Sequence, residues 1–209
     1  GSSAMNFLNR VLNEGRGKNR IFGIDGLGGS EKTTLAYEFA VKLRREDVSV
    51  QILHLDDFIY PKDVRYDDTY PEWYCYYNLQ WRYGYLIREV LEPIRQGMKL
   101  SKQLELYDRE SDRYRVVEMD FEMSTVFIVE GVFLQREELR EYFDFVIYVD
   151  ADRETRMKRL IQRDSYIGRP EEIVAKYRTR YFPAEEHYEK LYAPKYMADV
   201  VLGTRDTNL

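Results

Sequence analysis

The stretch that most constrains this chain runs from Arg20 to Thr34 and reads RIFGIDGLGGSEKTT. An apolar run (Ile21, Phe22, Ile24) breaks into a glycine cluster (Gly26, Gly28, Gly29), and Ser-Glu-Lys-Thr-Thr then opens the helical pattern LAYEFAVKL. Strand, glycine loop and helix in that order are the parts of a phosphate cradle. Glycines let backbone N–H groups turn inward, and the helix N-terminus adds its positive dipole end. Against the pattern G-x-x-x-x-G-K-[ST] the chain reads Gly26-x-x-x-x-Glu31-Lys32-Thr33, so Glu31 stands where the last glycine belongs. The expected nucleotide contacts are Gly26, Leu27, Gly28, Gly29, Ser30, Glu31, Lys32, Thr33 and Thr34. In this pattern Lys32 neutralises the β- and γ-phosphates and the Thr33 hydroxyl holds Mg²⁺. A turn that binds nothing would explain the glycines but not the Lys-Thr pair.

Composition narrows the rest. A length of 209 residues with 44% hydrophobic side chains suits one domain with a full core. The net charge of −5 comes without a dominant basic stripe and argues against a nucleic-acid module. A single cysteine, Cys75, excludes a disulfide framework and suits a reducing, cytoplasmic setting. No apolar run has the length of a membrane span, and no secretion signal is expected. Residues 1–4 (GSSA, before Met5) read as a cloning remnant, and 5–209 as the domain.

In chain order, Met5–Glu14 has a helical rhythm through Phe7, Leu8, Val11 and Leu12. Arg20–Ile24 is a strand, Lys32–Arg45 a helix, and Val48–Leu55 a second strand ending at Asp56-Asp57-Phe58. Residues 60–77 form an aromatic loop with short helical pieces, and Leu79–Arg95 is helical. Leu104–Tyr107 and Tyr114–Met119 flank a polar run and predict a projecting hairpin. Thr125–Val129 is an apolar strand ending at Glu130-Gly131. Glu137–Phe143 is a helix, Phe145–Val149 a strand, and Glu154–Asp164 a basic helix. A long helix from Pro170, interrupted near Pro183, precedes a last strand at Asp199–Leu202. Alternating strands and helices imply an α/β fold of three layers, with a mostly parallel sheet covered on both faces. Acids at strand ends matter in such a fold, because its ligands bind beyond the carboxyl ends of the strands.

Four separated segments together resemble the uridine kinase and phosphoribulokinase group of P-loop kinases. They are the phosphate loop, the strand end Asp56-Asp57-Phe58-Ile59-Tyr60-Pro61, the strand end Val129-Glu130-Gly131, and the helix Arg156-Met-Lys-Arg159-Leu-Ile-Gln-Arg163-Asp164. Pro183-Ala184-Glu185-Glu186 and the closing Tyr196-Met-Ala198-Asp199-Val200-Val201 are similar as well. The resemblance implies a P-loop NTPase fold with an acceptor-binding insert over 60–120 and a lid over 156–170. It implies ATP and Mg²⁺, and a phosphoryl transfer to a hydroxyl of a small molecule. Asp56 matches the base that takes the acceptor's proton, although Asp57 fits either role. Thr33 and Glu130 match the metal-holding groups, the latter through water. Lys32, Arg159 and Arg163 match groups that stabilise the moving charge, and Arg169 is a further lid arginine beside the nucleotide. The acceptor side is expected to involve Asp57, Tyr60, Arg82, Tyr107 and Arg109.

Departures from the family pattern bear on substrate. Arg82 stands where the uridine kinases carry the aspartate that grips ribose, and Tyr107-Asp108 is followed by Arg109 rather than histidine. A pocket that loses such groups loses its selectivity for a nucleoside, and the gained arginines suit an acceptor with an anionic group. The tyrosines between Tyr60 and Tyr85, drawn from 19 in the chain, suit either a small polar ligand or aromatic packing. Partners are therefore ATP and a hydroxylated small molecule, with no nucleic acid or membrane and with self-association left open. Two further readings remain: a nucleotide-binding sensor or scaffold without catalysis, and a hydrolysing GTPase or ATPase. The last is disfavoured, because no Asn/Thr-Lys-x-Asp guanine signature follows. Glu31 separates kinase from sensor. A carboxylate about 6 Å from a phosphate charge, at an effective dielectric near 20, opposes binding by on the order of 3 kcal/mol. The chain is thus expected to bind nucleoside triphosphate poorly.

Overall fold

The computed structural model describes residues 2–14 and 20–203, without the side chains of 2–4, 7 and 11. The described residues form seven strands: β1 (Arg20–Gly26), β2 (Val50–His54), β3 (Leu100–Asp108), β4 (Arg113–Phe121), β5 (Val126–Gly131), β6 (Phe145–Asp150) and β7 (Val200–Gly203). Five make one sheet in the order β2-β5-β1-β6-β7, and every pairing in it is parallel. Because side chains alternate along a strand, β1 sends Phe22 and Ile24 to one face and Ile21 to the other. Phe22 and Ile24 pack with Leu35, Phe39, Ile128 and Ile147; Ile21 packs with Phe127, Val129, Val146 and Phe133. All six residues of β5 are buried, as a central parallel strand requires. The hairpin β3–β4 is antiparallel, with Leu100 opposite Phe121, and is longer than the sequence pattern suggested.

Helix α1 (Ser2–Glu14) begins within the residues set aside as a remnant and buries Leu8. The expected roles of Phe7 and Val11 lie outside the described residues. Helix α2 (Lys32–Arg45) buries Leu35, Ala36, Phe39, Ala40 and Leu43, a stripe at helical spacing that lies on the sheet. The aromatic segment folds into α3 (Lys62–Arg65) and α4 (Glu72–Leu79). A continuous helical stretch follows: α5 (Tyr83–Leu86), a π-helical turn (Ile87–Leu91) and α6 (Glu92–Arg95). After β6 come α7 (Arg153–Arg163), α8 (Pro170–Lys176), a second π turn (Tyr177–Tyr181), α9 (Phe182–Tyr192) and α10 (Pro194–Met197). Both π turns end two residues before a proline, Pro93 and Pro183. A proline lacks the N–H for its i−4 carbonyl and crowds it, so a locally widened helix continues where a regular one would kink. No described helix is long and apolar enough to cross a membrane.

One expected element is absent. Residues Glu137–Phe143 do not form an α-helix; turns lead into a single 3₁₀ turn at Arg140–Tyr142. Tertiary anchors override the helical pattern there. Phe133 sits at φ 61°, and Phe133, Leu134 and Leu139 are fully buried. Gln135 Nε2 donates to Asp25 and to the Pro194 carbonyl, and Arg136 donates to the Tyr77 carbonyl and the Tyr83 hydroxyl.

Candidate active site

The loop from Leu27 to Glu31 joins the end of β1 to the start of α2. Gly29 has φ 80°, and a Cβ there would stand 2.8 Å from the Arg156 carbonyl oxygen, so only glycine fits. Glu31 also adopts a left-handed conformation, φ 72° and ψ 36°. For a residue with a Cβ this costs roughly 1–2 kcal/mol. The backbone thus keeps the geometry that the missing glycine would have adopted without strain. Lys32 is buried and donates to the Leu27 carbonyl at 3.2 Å. Burial pushes its pKa down, while Glu130 and Asp56 act to keep it charged.

Facing the loop are the ends of β2 and β5. Glu130, 6% exposed, accepts from the Thr33 hydroxyl at 2.6 Å and lies 3.3 Å from His54 Nδ1. Burial works against the Glu130 charge, but His54, Lys32 and Thr33 outweigh it and hold the carboxyl below its ordinary pKa. The same hydrogen bond raises the pKa of His54. Asp56 follows on a 3₁₀ turn (Leu55–Asp57), with its carboxylate 3.8 Å from Arg109. A Cβ on Gly131 would approach Leu55 Cβ to 2.5 Å, so glycine lets the two strand ends close on each other. Asp57 is more enclosed, and burial raises its pKa against the pull of His54 and Arg115.

Helix α7 grips the loop from its other side. Arg156 donates to the Gly28 carbonyl at 3.0 Å and pairs with Glu185 at 3.2 Å. Glu185 in turn accepts the Gly28 N–H at 3.1 Å. Burial pushes the Glu185 pKa up, against Arg156 and that N–H. Arg159 donates to the Gly29 carbonyl at 3.0 Å, and its Nε lies 3.3 Å from the Glu31 carboxylate. The Glu31 carboxylate is therefore drawn to Arg159.

Glu31, Lys32, Asp56, Glu130, Arg159 and Glu185 border one cleft of about 1240 Å³. It brings together Gly28, Gly29, Glu31, Lys32, Thr33, Asp56, Tyr107, Arg109, Glu130, Arg159 and Arg163 of the residues expected from sequence. Gly26, Leu27 and Ser30 are buried and do not line the cleft, and Thr34 is exposed on α2. Arg169 is exposed and pairs with Glu172. Asp57 and Tyr60 do not line the cleft; the Tyr60 carbonyl accepts from Arg65 at 2.6 Å. The expectation for Arg82 is corrected: its guanidinium lies 3.9 and 4.1 Å from the ring centroids of Tyr85 and Tyr114 and bonds the Glu105 carbonyl, outside the cleft. Most of the tyrosine crowd is packing, since Tyr76, Tyr77 and Trp81 are buried against Phe133. Tyr66 and Tyr76 also face the cleft. Sequence reasoning missed His54, Arg156 and Glu185 as site residues. Arg156 and Glu185 stood in segments that already resembled the family, but no spacing rule ties residues so far apart in sequence to Gly28.

Comparisons with known proteins agree with this geometry. The model of the phosphoribulokinase / uridine kinase family matches residues 21–208. The uridine kinase of Staphylococcus aureus (strain JH9) is 31% identical over 152 residues, covering 69% of this chain and 68% of that protein. A solved structure of a possible uridine kinase from Bacillus stearothermophilus superposes with TM-score 0.78 at 32% identity, over 96% of this chain and 98% of that one. The D-glycerate 3-kinase of Cryptococcus neoformans var. grubii shares the fold alone, with TM-score 0.60 at 13% identity over 90% of this chain and 87% of that one.

Proposed function

This chain belongs to the phosphoribulokinase and uridine kinase family and is a P-loop kinase, and from that premise we propose that it transfers the γ-phosphoryl group of ATP to a hydroxyl of a small molecule other than a plain nucleoside. The observation that carries this reading is the meeting of Lys32, the Thr33–Glu130 pair and Asp56 in a single cleft. Phosphoryl transfer needs positioning and charge stabilisation more than covalent chemistry, and those groups supply both. Inward N–H groups of the loop and Lys32 hold the phosphates. Asp56 takes the acceptor proton from the end of β2, with Asp57 behind it. Arg159 and Arg163 stabilise charge on the moving group.

Thr33 and Glu130 fit a magnesium ion. They are two oxygen donors already 2.6 Å apart at the start of α2 and the end of β5. Among the described residues no cluster of three His, Cys, Asp or Glu side chains could cage a metal. That suits an ion which keeps water and phosphate as its other ligands. When bound, Mg²⁺ neutralises phosphate oxygens and orients them. The acceptor reading rests on Arg109, whose guanidinium stands beside Asp56 where a neutral sugar or base would need neutral partners.

A second reading, a catalytically weak nucleotide-binding sensor or scaffold, is favoured by one observation. Glu31 is strained and engages Arg159, one of the groups the reaction would use. A phosphoryl-transfer screen of hydroxylated metabolites, run with the chain and its Glu31→Gly form, separates the readings. Transfer to a non-nucleoside alcohol is expected, strongest in the glycine form. ATP binding without transfer to any acceptor supports the second reading, and efficient phosphorylation of uridine or cytidine overturns the acceptor assignment.

A further inference from the structure

The charged groups around the cleft pair off unevenly. Glu31 pairs with Arg159, Asp56 with Arg109, Asp164 with Arg163, and Glu185 with Arg156. Three cations on the remaining wall, Lys62, Arg65 and Lys176, have no carboxylate within ion-pair distance among the described residues. Arg65 is the most telling, because it is only 8% exposed. Its Nε donates to the Tyr60 carbonyl, and its terminal nitrogen to the Tyr107 hydroxyl at 3.0 Å. Asp112 reaches it only through that hydroxyl, which donates to Asp112 at 2.6 Å. A buried guanidinium bonded directly only to neutral acceptors, with Asp112 acting on it from beyond one hydroxyl, is partly compensated, and proteins retain such groups at a cost.

Two of the three, Arg65 and Lys176, flank one ring. Arg65 lies 5.5 Å and the Lys176 ammonium 5.6 Å from the centroid of Tyr66, which itself lines the cleft. Behind it Arg180 stands 4.1 Å from the same centroid and is neutralised by Glu72 at 2.9 Å. Burial opposes ionisation of the Tyr66 phenol, yet Arg180, Lys176 and Arg65 bring its pKa below the ordinary value, the sign of a locally positive potential. This concentration is local, in a chain whose net charge is −5.

We infer that the cleft wall carrying Lys62, Arg65, Tyr66 and Lys176 is an anion subsite, and that the acceptor carries a phosphate or carboxylate in addition to its hydroxyl. The inference rests on the kinase reading of the cleft and adds the acceptor's chemical class. Guanidinium and ammonium groups already positioned on neutral partners gain charge-assisted bonds when an anion arrives, without first breaking an ion pair. The experiment is calorimetric titration of the full chain with paired compounds: neutral polyols, their monophosphates and their hydroxy-acid counterparts. It is repeated with Lys62→Met and with Lys176→Met, the latter losing only its contacts to Tyr66 and Tyr181, and in parallel with assays of transfer from ATP. At least one anionic compound is expected to bind about tenfold or more tightly than its neutral parent. Each lysine variant should weaken that compound severalfold and leave the neutral parent unchanged. The monophosphate and carboxylate arms show which anion is preferred. If no anionic compound outbinds its parent, or if ATP displaces it while both lysine variants bind it normally, the subsite does not exist. Anion binding that the lysines control, without any transfer, upholds the subsite and defeats the kinase reading. Transfer to neutral alcohols that the variants leave intact does the reverse.

Discussion

The two ends of the cleft differ in how their polar groups are satisfied. At the phosphate end the groups hold one another: Lys32 on the Leu27 carbonyl, Thr33 on Glu130, Glu31 on Arg159, and the Gly28 N–H on Glu185. A nucleotide there gains only the difference between its own contacts and those it exchanges. At the proposed acceptor end Arg65 and Lys176 face phenols and a carbonyl, and Asp112 acts on Arg65 and Lys62 without a direct ion pair, so an arriving anion displaces no salt bridge. The first end is therefore pre-shaped and self-satisfied, and the second is poised for a ligand of one sign. Each end is open to a direct challenge.

The largest effect is expected between them, at Asp56. Asp56→Asn should lower kcat for the true acceptor by roughly 10²- to 10⁴-fold while ATP affinity stays constant. Equal activity would remove Asp56 from the mechanism, and a dead Asp57→Asn beside a live Asp56→Asn would exchange the two roles. Next comes the Thr33–Glu130 pair. Thr33→Val and Glu130→Gln should each weaken Mg²⁺-dependent nucleotide binding by about ten- to a hundredfold. An unchanged dependence of ATP affinity on Mg²⁺ concentration would place the ion elsewhere. A smaller effect tests the acceptor end by omission. Arg82→Met should lower stability by about 1 kcal/mol, through loss of its two ring contacts, and leave the acceptor KM unchanged. A large rise in KM would return Arg82 to the site.

The smallest effect concerns His54 and Glu130. The His54 pKa is raised from 6.5, so its contribution is complete below that value and is lost as pH rises through the folded-state pKa. The Glu130 pKa is lowered, so its contribution is lost on the acid side. Without added metal, the difference in melting temperature between the chain and His54→Gln should shrink as pH rises from about 6 to about 9. A difference independent of pH would show that the pair is not held by charge.

What was legible in the sequence was local. The strand, glycine loop and helix from Arg20 to Arg45, the acids at the ends of β2 and β5, and the hairpin all follow from short-range pattern and turn chemistry. The order β2-β5-β1-β6-β7 is a matter of long-range pairing, and no local pattern encodes it. Glu137–Phe143 has helical periodicity, but Gln135 and Arg136 just before it are held by core carbonyls and a hydroxyl. Arg82 was read from the resemblance to the family, and the rings of Tyr85 and Tyr114 hold its side chain outside the cleft. The Gly28–Glu185 contact spans 157 residues, a distance over which a sequence carries chemistry without showing contact.

Glu31 is where local sequence and required backbone disagree most plainly. It holds a glycine's conformation, half exposed, with its carboxylate on Arg159. Removing the side chain relieves the strain, returns Arg159 to the phosphates and removes an anion from their neighbourhood. Titration of ATP·Mg²⁺ into the chain and into Glu31→Gly tests this directly. The glycine form should bind about ten- to a hundredfold more tightly, and equal dissociation constants would contradict the account.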